Sequence, residues 1–228
     1  MSKEKPKDVR EDMGVPHYCE EFDKELNYKL WSTAGARYNA SKRLEKKARW
    51  SCWAINFCSG YVILFSIFSV LFSKYMFVHN TEIVNLIIIF FSITLSLFII
   101  IFSLAESNSR YDLRASRHHS CALEVASLYK RLRYLKSCYK NKTKDDSFLD
   151  KAYQISLEYD KILAQHENHE EIDFFKFKLQ KPDYVSHKMS WCEKKSIRWI
   201  TYPKEFIVYW LVIVVPLVLF SIMCYVLS

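Results

Sequence analysis

The sequence predicts an all-α membrane protein: a transmembrane helical hairpin with long cytoplasmic helical extensions, a cytoplasmic helical region and a third, C-terminal transmembrane helix. Three observations predict it. Three runs lack Asp, Glu, Lys, Arg and His for the length of a bilayer, in a chain that is 25% charged. A mean hydropathy near zero, −0.09, is therefore an average over a very apolar part and a strongly charged part. Three Gly and five Pro in 228 residues leave few turns, and no Asn-Gly hairpin signal is present.

The elements follow in chain order. Residues 1–22 are charged and expected to be flexible. Residues 23–49 form a cytoplasmic helix, with Leu26, Leu30, Ala34, Tyr38 and Leu44 near one face, that can run straight into the first span. The hairpin occupies 50–105, with spans at 50–73 and 83–105. The first is uncharged for 24 residues and the second for 23. At about 1.5 Å per residue the second is roughly 34 Å long, slightly more than the ~30 Å hydrocarbon core. Seventeen of its residues are Ile, Leu, Phe or Val, which favours insertion by on the order of 5 to 10 kcal/mol. The third span is 206–228, where Pro216 is expected to loosen or kink the helix near its middle. The first apolar run starts too far into the chain, and is too long, for a signal peptide.

Orientation comes from the cations. Ser41–Arg49 carries five Lys/Arg against one Glu, while the link Lys74–Glu82 carries a single Lys. Arg110, Arg114 and Arg117 follow the second span, and Lys188, Lys194, Lys195, Arg198 and Lys204 precede the third. The positive-inside rule places the N-terminus and 106–205 in the cytoplasm, and the hairpin loop and C-terminus outside. Lys42–Arg49 are also placed to attract anionic lipids at ~1 kcal/mol each. Seven cysteines with no CxxC pair suggest neither a disulfide framework nor a zinc ribbon.

Within 106–205, Ser107–Tyr139 reads as a direct extension of the second span. Tyr111, Ala115, His118, Ala122, Val125, Tyr129, Leu132, Leu135 and Tyr139 recur at steps of three and four. This stripe needs a partner, and the helix before the first span is the obvious one in the chain. After the turn Lys140–Ser147, with Asp146 or Ser147 as N-cap, Phe148–Gln165 places Leu149, Tyr153, Ile155, Tyr159, Ile162 and Leu163 broadly on one side. Ile172–Leu179 is ambiguous between strand and short helix. Met189–Thr201 reads as an amphipathic helix lying in the interface.

Enzyme signatures are missing: no glycine-rich phosphate loop, no GxSxG and no HExxH. His166 and His169, with Glu167, Glu170, Glu171 and Asp173 nearby, have the composition of a metal site. A polar helix end whose side chains satisfy the backbone explains them more simply. No cofactor or metal is expected, and the chain is not read as an enzyme. Tyr129–Lys144 interleaves aromatics with seven Lys/Arg, but its aromatics belong to the apolar stripe. A solvated face fits better than direct nucleic-acid binding.

The spans carry the best functional clue. Asn56, Ser59, Ser66 and Ser73 share a face of the first, with Ser69 at its edge. Ser92, Ser96 and Ser103 share a face of the second, where Asn85 lies level with Ser69 and Ser96 with Ser59. The two stripes can meet across the hairpin as packing, or form a water-facing wall once several hairpins assemble. The spans hold no Asp, Glu, Lys or Arg, which argues against a proton relay or charge-coupled transport. A pore lined by hydroxyls and amides remains open as a reading.

Ala36–Leu44 ("ARYNASKRL"), the two-span hairpin, the long helix after it and Tyr159–Phe174 ("YDKILAQHENHEEIDF") together resemble the SLATT family. The "ENH…D" pattern is similar to the branch found beside bacterial reverse transcriptases. The likeness covers about Leu26–Asp173, and the third span departs from the usual pattern. It implies a two-span effector of the bacterial inner membrane, a homo-oligomer that forms a pore to kill or arrest a phage-infected cell. It also implies a cytoplasmic partner, a reverse transcriptase or a nucleotide-signal synthase, and offers no catalytic residues. Tyr111, His118, Tyr129, Leu132, Glu167, Asn168, His169 and Asp173 are the residues expected to couple that partner to the spans. The competing reading is a non-conducting anchor or scaffold that recruits a cytoplasmic enzyme.

Overall fold

The computed structural model describes residues 21–75, 81–139, 145–181, 190, 195 and 202–227. The N-terminal segment to Glu20, the turn residues 140–144 and, apart from Ser190 and Lys195, the interfacial helix expected at Met189–Thr201 lie outside the described residues. The described chain is helical and contains no strand: α1 (Phe22–Tyr75), α2 (Thr81–Ser109), α3 (Tyr111–Cys138), α4 (Asp146–Gln165), α5 (Glu171–Gln180), a single turn at Tyr202–Lys204, and α6 (Ile207–Leu227). α1 and α2 each contain a stretch long and apolar enough to cross a membrane, and only 22% and 11% of those stretches are buried inside the chain. The core helix of a soluble protein would be covered.

Two readings of helix continuity part company. α1 runs through residue 50 without a break, as expected. The second span continues only as far as Ser109, because Arg110 sits at φ 44° and separates α2 from α3, so 107–139 is not one direct extension of it. A non-glycine residue there brings its Cβ against the carbonyl, at a cost of about 1–2 kcal/mol.

The described residues within Met1–Glu45 and Asp112–Tyr202 form one compact unit. Its core joins Leu26, Leu30 and Ala34 of α1, Cys121, Val125, Leu128 and Leu132 of α3, and Ala152, Ile155 and Tyr159 of α4. The α3 stripe thus finds the in-chain partner expected of it, and α4 closes the third side. Thr33 Oγ1 and the Tyr159 hydroxyl lie 2.9 Å apart across the α1–α4 contact. The buried face of α4 needs correcting: Leu149 and Tyr153 are exposed, while Phe148, Ala152, Ile155 and Tyr159 are buried. That set is the cleaner i, i+4, i+7, i+11 repeat. Its N-cap is Asp145 rather than Asp146 or Ser147, with the Asp145 carboxylate accepting from the Phe148 N–H at 2.9 Å.

Ile172–Leu179 is resolved as helix α5. Phe177 lies edge-on to Trp31, ring centroids 4.5 Å apart, and covers Gly35 so closely that a Cβ there would stand 2.2 Å from its ring. Gly35 is what lets α5 approach α1.

The second unit comprises the described residues within Lys46–Tyr111 and Pro203–Ser228. Tyr61, Phe65, Ile88 and Leu95 form its buried centre, with Phe91, Ile99 and Phe220 packed against them. α6 belongs here: Phe65 stacks on Phe220 with centroids 4.0 Å apart, and the Cys58 thiol donates to the Val212 carbonyl at 3.3 Å. The Tyr209 hydroxyl donates to Glu106 Oε2 at 3.1 Å. α6 runs helical through the buried Pro216.

Candidate functional site

Two polar constellations stand out, one in each unit. In the apolar unit, Asn56, Ser59 and Ser66 are exposed on α1, beside Ile63 and Val70. Ser69, Ser92, Ser96 and Ser103 are half-buried. The side chains of Asn85 and Ser73 lie outside the described residues. Ser59 donates to the Ile55 carbonyl at 2.9 Å, Ser66 to Val62 at 2.8 Å and Ser96 to Ser92 at 2.8 Å. Asn56 Nδ2 reaches Cys52 Sγ at 3.6 Å. These four side chains therefore bond within their own helices. The single chain closes its hairpin through Tyr61, Phe65, Ile88 and Leu95, and leaves Asn56, Ser59 and Ser66 facing out. Such back-bonded hydroxyls are satisfied in either lipid or water.

In the other unit, the two patterns that carried the family resemblance meet. Arg43 of α1 grips Asp173 of α5 in a two-point pair, Nε to Oδ1 at 2.9 Å and Nη2 to Oδ2 at 3.0 Å. Glu170 Oε1 lies 2.8 Å from the same guanidinium. Asn39 donates to the Asp173 carbonyl at 3.2 Å. Arg43 and Asp173 are both buried, 2% and 0% exposed. Burial works against the Arg43 cation, but Asp173 and Glu170 outweigh it and hold the guanidinium protonated. Removing one member of so buried a pair strands the other, at about 3–5 kcal/mol.

Six residues earlier on α1, Arg37 Nη1 stands 3.2 Å from His118 Nδ1. A guanidinium can only donate, so Nδ1 accepts and the imidazole is neutral. Burial, reinforced by Arg37, pushes the His118 pKa down to about 4. His169 is lowered by the same two causes. Among the described residues, the buried Arg37 Nε and His169 Nδ1 have no hydrogen-bond partner. Arg114 Nε donates to Glu167 Oε2 at 3.0 Å, which ties the start of α3 to the "ENH" loop.

Of the coupling residues expected from the sequence, His118, Glu167, His169 and Asp173 converge on this cluster. Leu132 is core and Tyr129 flanks it. Tyr111 falls in the other unit, and Asn168 is exposed. Sequence reasoning missed Arg37, Asn39 and Arg43. Arg43 was grouped with cations free to attract lipid, but it is spent on Asp173, and Lys47 pairs with Glu205. The basic tract of α1 facing the acidic "ENHEEID" stretch was the available signal. Of the adjacent histidines, His118 points in, while His119 is exposed and meets the Tyr38 ring edge-on at 5.5 Å. His166 Nε2 stands 3.8 Å from Glu124 Oε1. Among the described residues no three His, Cys, Asp or Glu converge as metal ligands.

No curated protein and no solved structure matches the chain. A family model does, over residues 19–222. That span reaches well beyond Leu26–Asp173 and takes in most of α6, so the third apolar helix lies inside the matched region. The chain belongs to the SMODS and SLOG-associating 2TM effector domain family 5, a SLATT family of membrane effectors in defence systems.

Proposed function

We propose that the chain is an oligomeric pore-forming effector of a bacterial anti-phage, abortive-infection system. Copies assemble in the inner membrane around a conduit lined by Asn56, Ser59, Ser66, Ser92 and Ser96, and opening depolarises the cell. The observation that carries this reading is the outward placement of Asn56, Ser59 and Ser66 on an otherwise apolar helix face. Among the described residues they bond only within α1, whereas a ring of copies gives them each other and water.

The N-terminus and the α3–α5 bundle face the cytoplasm, where a partner or its product supplies the trigger. A reverse transcriptase or a nucleotide-signal synthase is the partner class, and direct nucleic-acid binding is not part of the scheme. The Arg37–Arg43 cluster is the sensor side. Among the described residues Arg37 Nε and His169 Nδ1 have no partner there, which supports a second state that satisfies them, as a ligand-biased equilibrium requires. α1 carries both Arg43 and Ser59 on one unbroken helix.

A second reading, a non-conducting scaffold that recruits a cytoplasmic enzyme, draws on a different observation. The hydroxyls of Ser59, Ser66 and Ser96 are already satisfied by their own helices and need no water. Membrane potential separates the two. Expressed in bacteria with its genomic neighbour, the wild type depolarises the membrane and the Ser59→Leu/Ser96→Leu pair does not, with insertion and oligomer size intact. Absence of depolarisation under every triggering condition selects the scaffold.

A further inference from the structure

Within the apolar unit, α1 and α6 line a half-open cavity of about 520 Å3. Lys46 and Arg49 stand at one end, Trp50, Trp53 and Trp210 along it, and Phe57 with Ile213 at the other. Trp50 and Trp210 meet across the two helices with ring centroids 5.2 Å apart, and Trp53 stacks on Phe57 at 5.8 Å. On α1 the positions 46, 49, 50, 53 and 57 fall at helical intervals, so they share one face and spread over roughly 16 Å. Their order along the axis is cation, indole, hydrocarbon. Lys46 and Arg49 are among the last charges before the uncharged run that begins at Trp50.

The geometry points to a binding site for one anionic phospholipid. A phospholipid presents the same sequence of chemistries along its length: phosphate, glycerol esters, acyl chain. Indoles favour the ester level of a bilayer, and cations between membrane helices at this depth select anionic headgroups. Among the described residues that line the cavity there is no carboxylate. The volume suits a phosphate, a glycerol backbone and the first part of an acyl chain, with the remainder continuing along the exposed apolar face of α1. The chain carries a net charge of +8, so charge favours an anionic lipid over a second copy as the occupant. The inference rests on membrane insertion alone and is independent of conduction.

The test uses the full-length chain, delipidated in detergent and exposed to equal amounts of phosphatidylglycerol and phosphatidylcholine with identical acyl chains. Native mass spectrometry then counts the lipid retained. The wild type is expected to retain phosphatidylglycerol in preference by on the order of tenfold, and Lys46→Gln/Arg49→Gln to lose most of that preference. Lys151→Gln/Lys161→Gln, which removes the same charge from exposed positions of α4, is expected to leave it unchanged. Excess inorganic phosphate is expected not to displace the lipid, because it lacks the apolar contacts. Equal retention of the two lipids by the wild type overturns the proposal. So does a loss of preference in the α4 control that matches the double variant, since net charge would then explain it. Displacement by inorganic phosphate would make this a soluble-anion site instead.

Discussion

The two units of this chain bond their polar side chains differently. In the α3–α5 bundle, polar side chains bond across helices: Arg43 to Asp173, Arg37 to His118, Asn39 to the α5 backbone, Thr33 to Tyr159. In the apolar unit, Ser59, Ser66, Ser96 and Ser221 each return their hydroxyl to their own helix; Cys58 and Tyr209 bond across helices, beside aromatic and aliphatic packing. The first arrangement fixes a register, because each bond demands one partner in one place. The second leaves helix faces able to exchange neighbours at little cost. A sensor needs the former and an assembling membrane element the latter.

The contrast breaks most sharply at Asp173. Asp173→Ala removes the two-point partner of the buried Arg43 and leaves the half-exposed Glu170 beside it, and is expected to destabilise the bundle by about 3 kcal/mol. Faster hydrogen exchange of α5 amides in the full-length chain reads this out. Unchanged exchange would mean that the pair does not hold α5 on α1.

Acid comes next. Folded His118 takes up a proton only near pH 4, whereas an unfolded histidine does so near 6.5. Between those values the unfolded chain binds more protons, so the bundle is at full stability above about pH 6.5 and loses it as pH falls toward 4. The loss is on the order of 2–3 kcal/mol. Arg37, Arg114, Asp173 and Glu167 are the charges that His118 faces, the two arginines opposing its protonation and the two carboxylates favouring it. Thermal unfolding followed across this range should show a slope that His118→Gln flattens, leaving the part due to His169.

A smaller effect is expected at Gly35, where an added methyl meets the Phe177 ring. Gly35→Ala should cost about 1–3 kcal/mol by overpacking. Phe177→Leu in the same chain should recover part of it, a coupling that a double-mutant cycle measures directly. Smallest of all are Ser59→Ala and Ser66→Ala, each expected to change stability by less than about 0.5 kcal/mol, because the freed carbonyl keeps its helical bond. A large loss at either serine would show that the apolar unit, too, relies on polar register.

The helical class and the two membrane-length apolar helices were legible because such length is written in composition: an uncharged run of 23 residues has few other uses. The α3 stripe was equally plain, since three- and four-residue steps have one helical meaning. The bundle's polar cluster was half legible. Histidine and carboxylate clusters stand out in a sequence, whereas an arginine among surface cations does not, and Arg43 looks no different in sequence from Lys46. The phase of α4 was misjudged because Leu149 and Tyr153 are as apolar as the residues that pack, and only the neighbour decides between adjacent faces. The break at Arg110 had no signal, since neither Gly nor Pro marks it. The stripe residues of the hairpin were visible as a pattern, but their outward placement on α1 depends on which aromatic side chains meet inside.

The central claim is conduction through assembled hairpins. The most direct measurement is membrane potential in bacteria that express the chain with its genomic neighbour, during triggering, for the wild type and for Ser59→Leu/Ser96→Leu. Rapid depolarisation by the wild type, abolished in the pair while insertion and oligomer size are unchanged, is the predicted result. Depolarisation that persists undiminished in the pair would contradict it, and a membrane that holds its potential under every trigger would leave a scaffold in place of a pore.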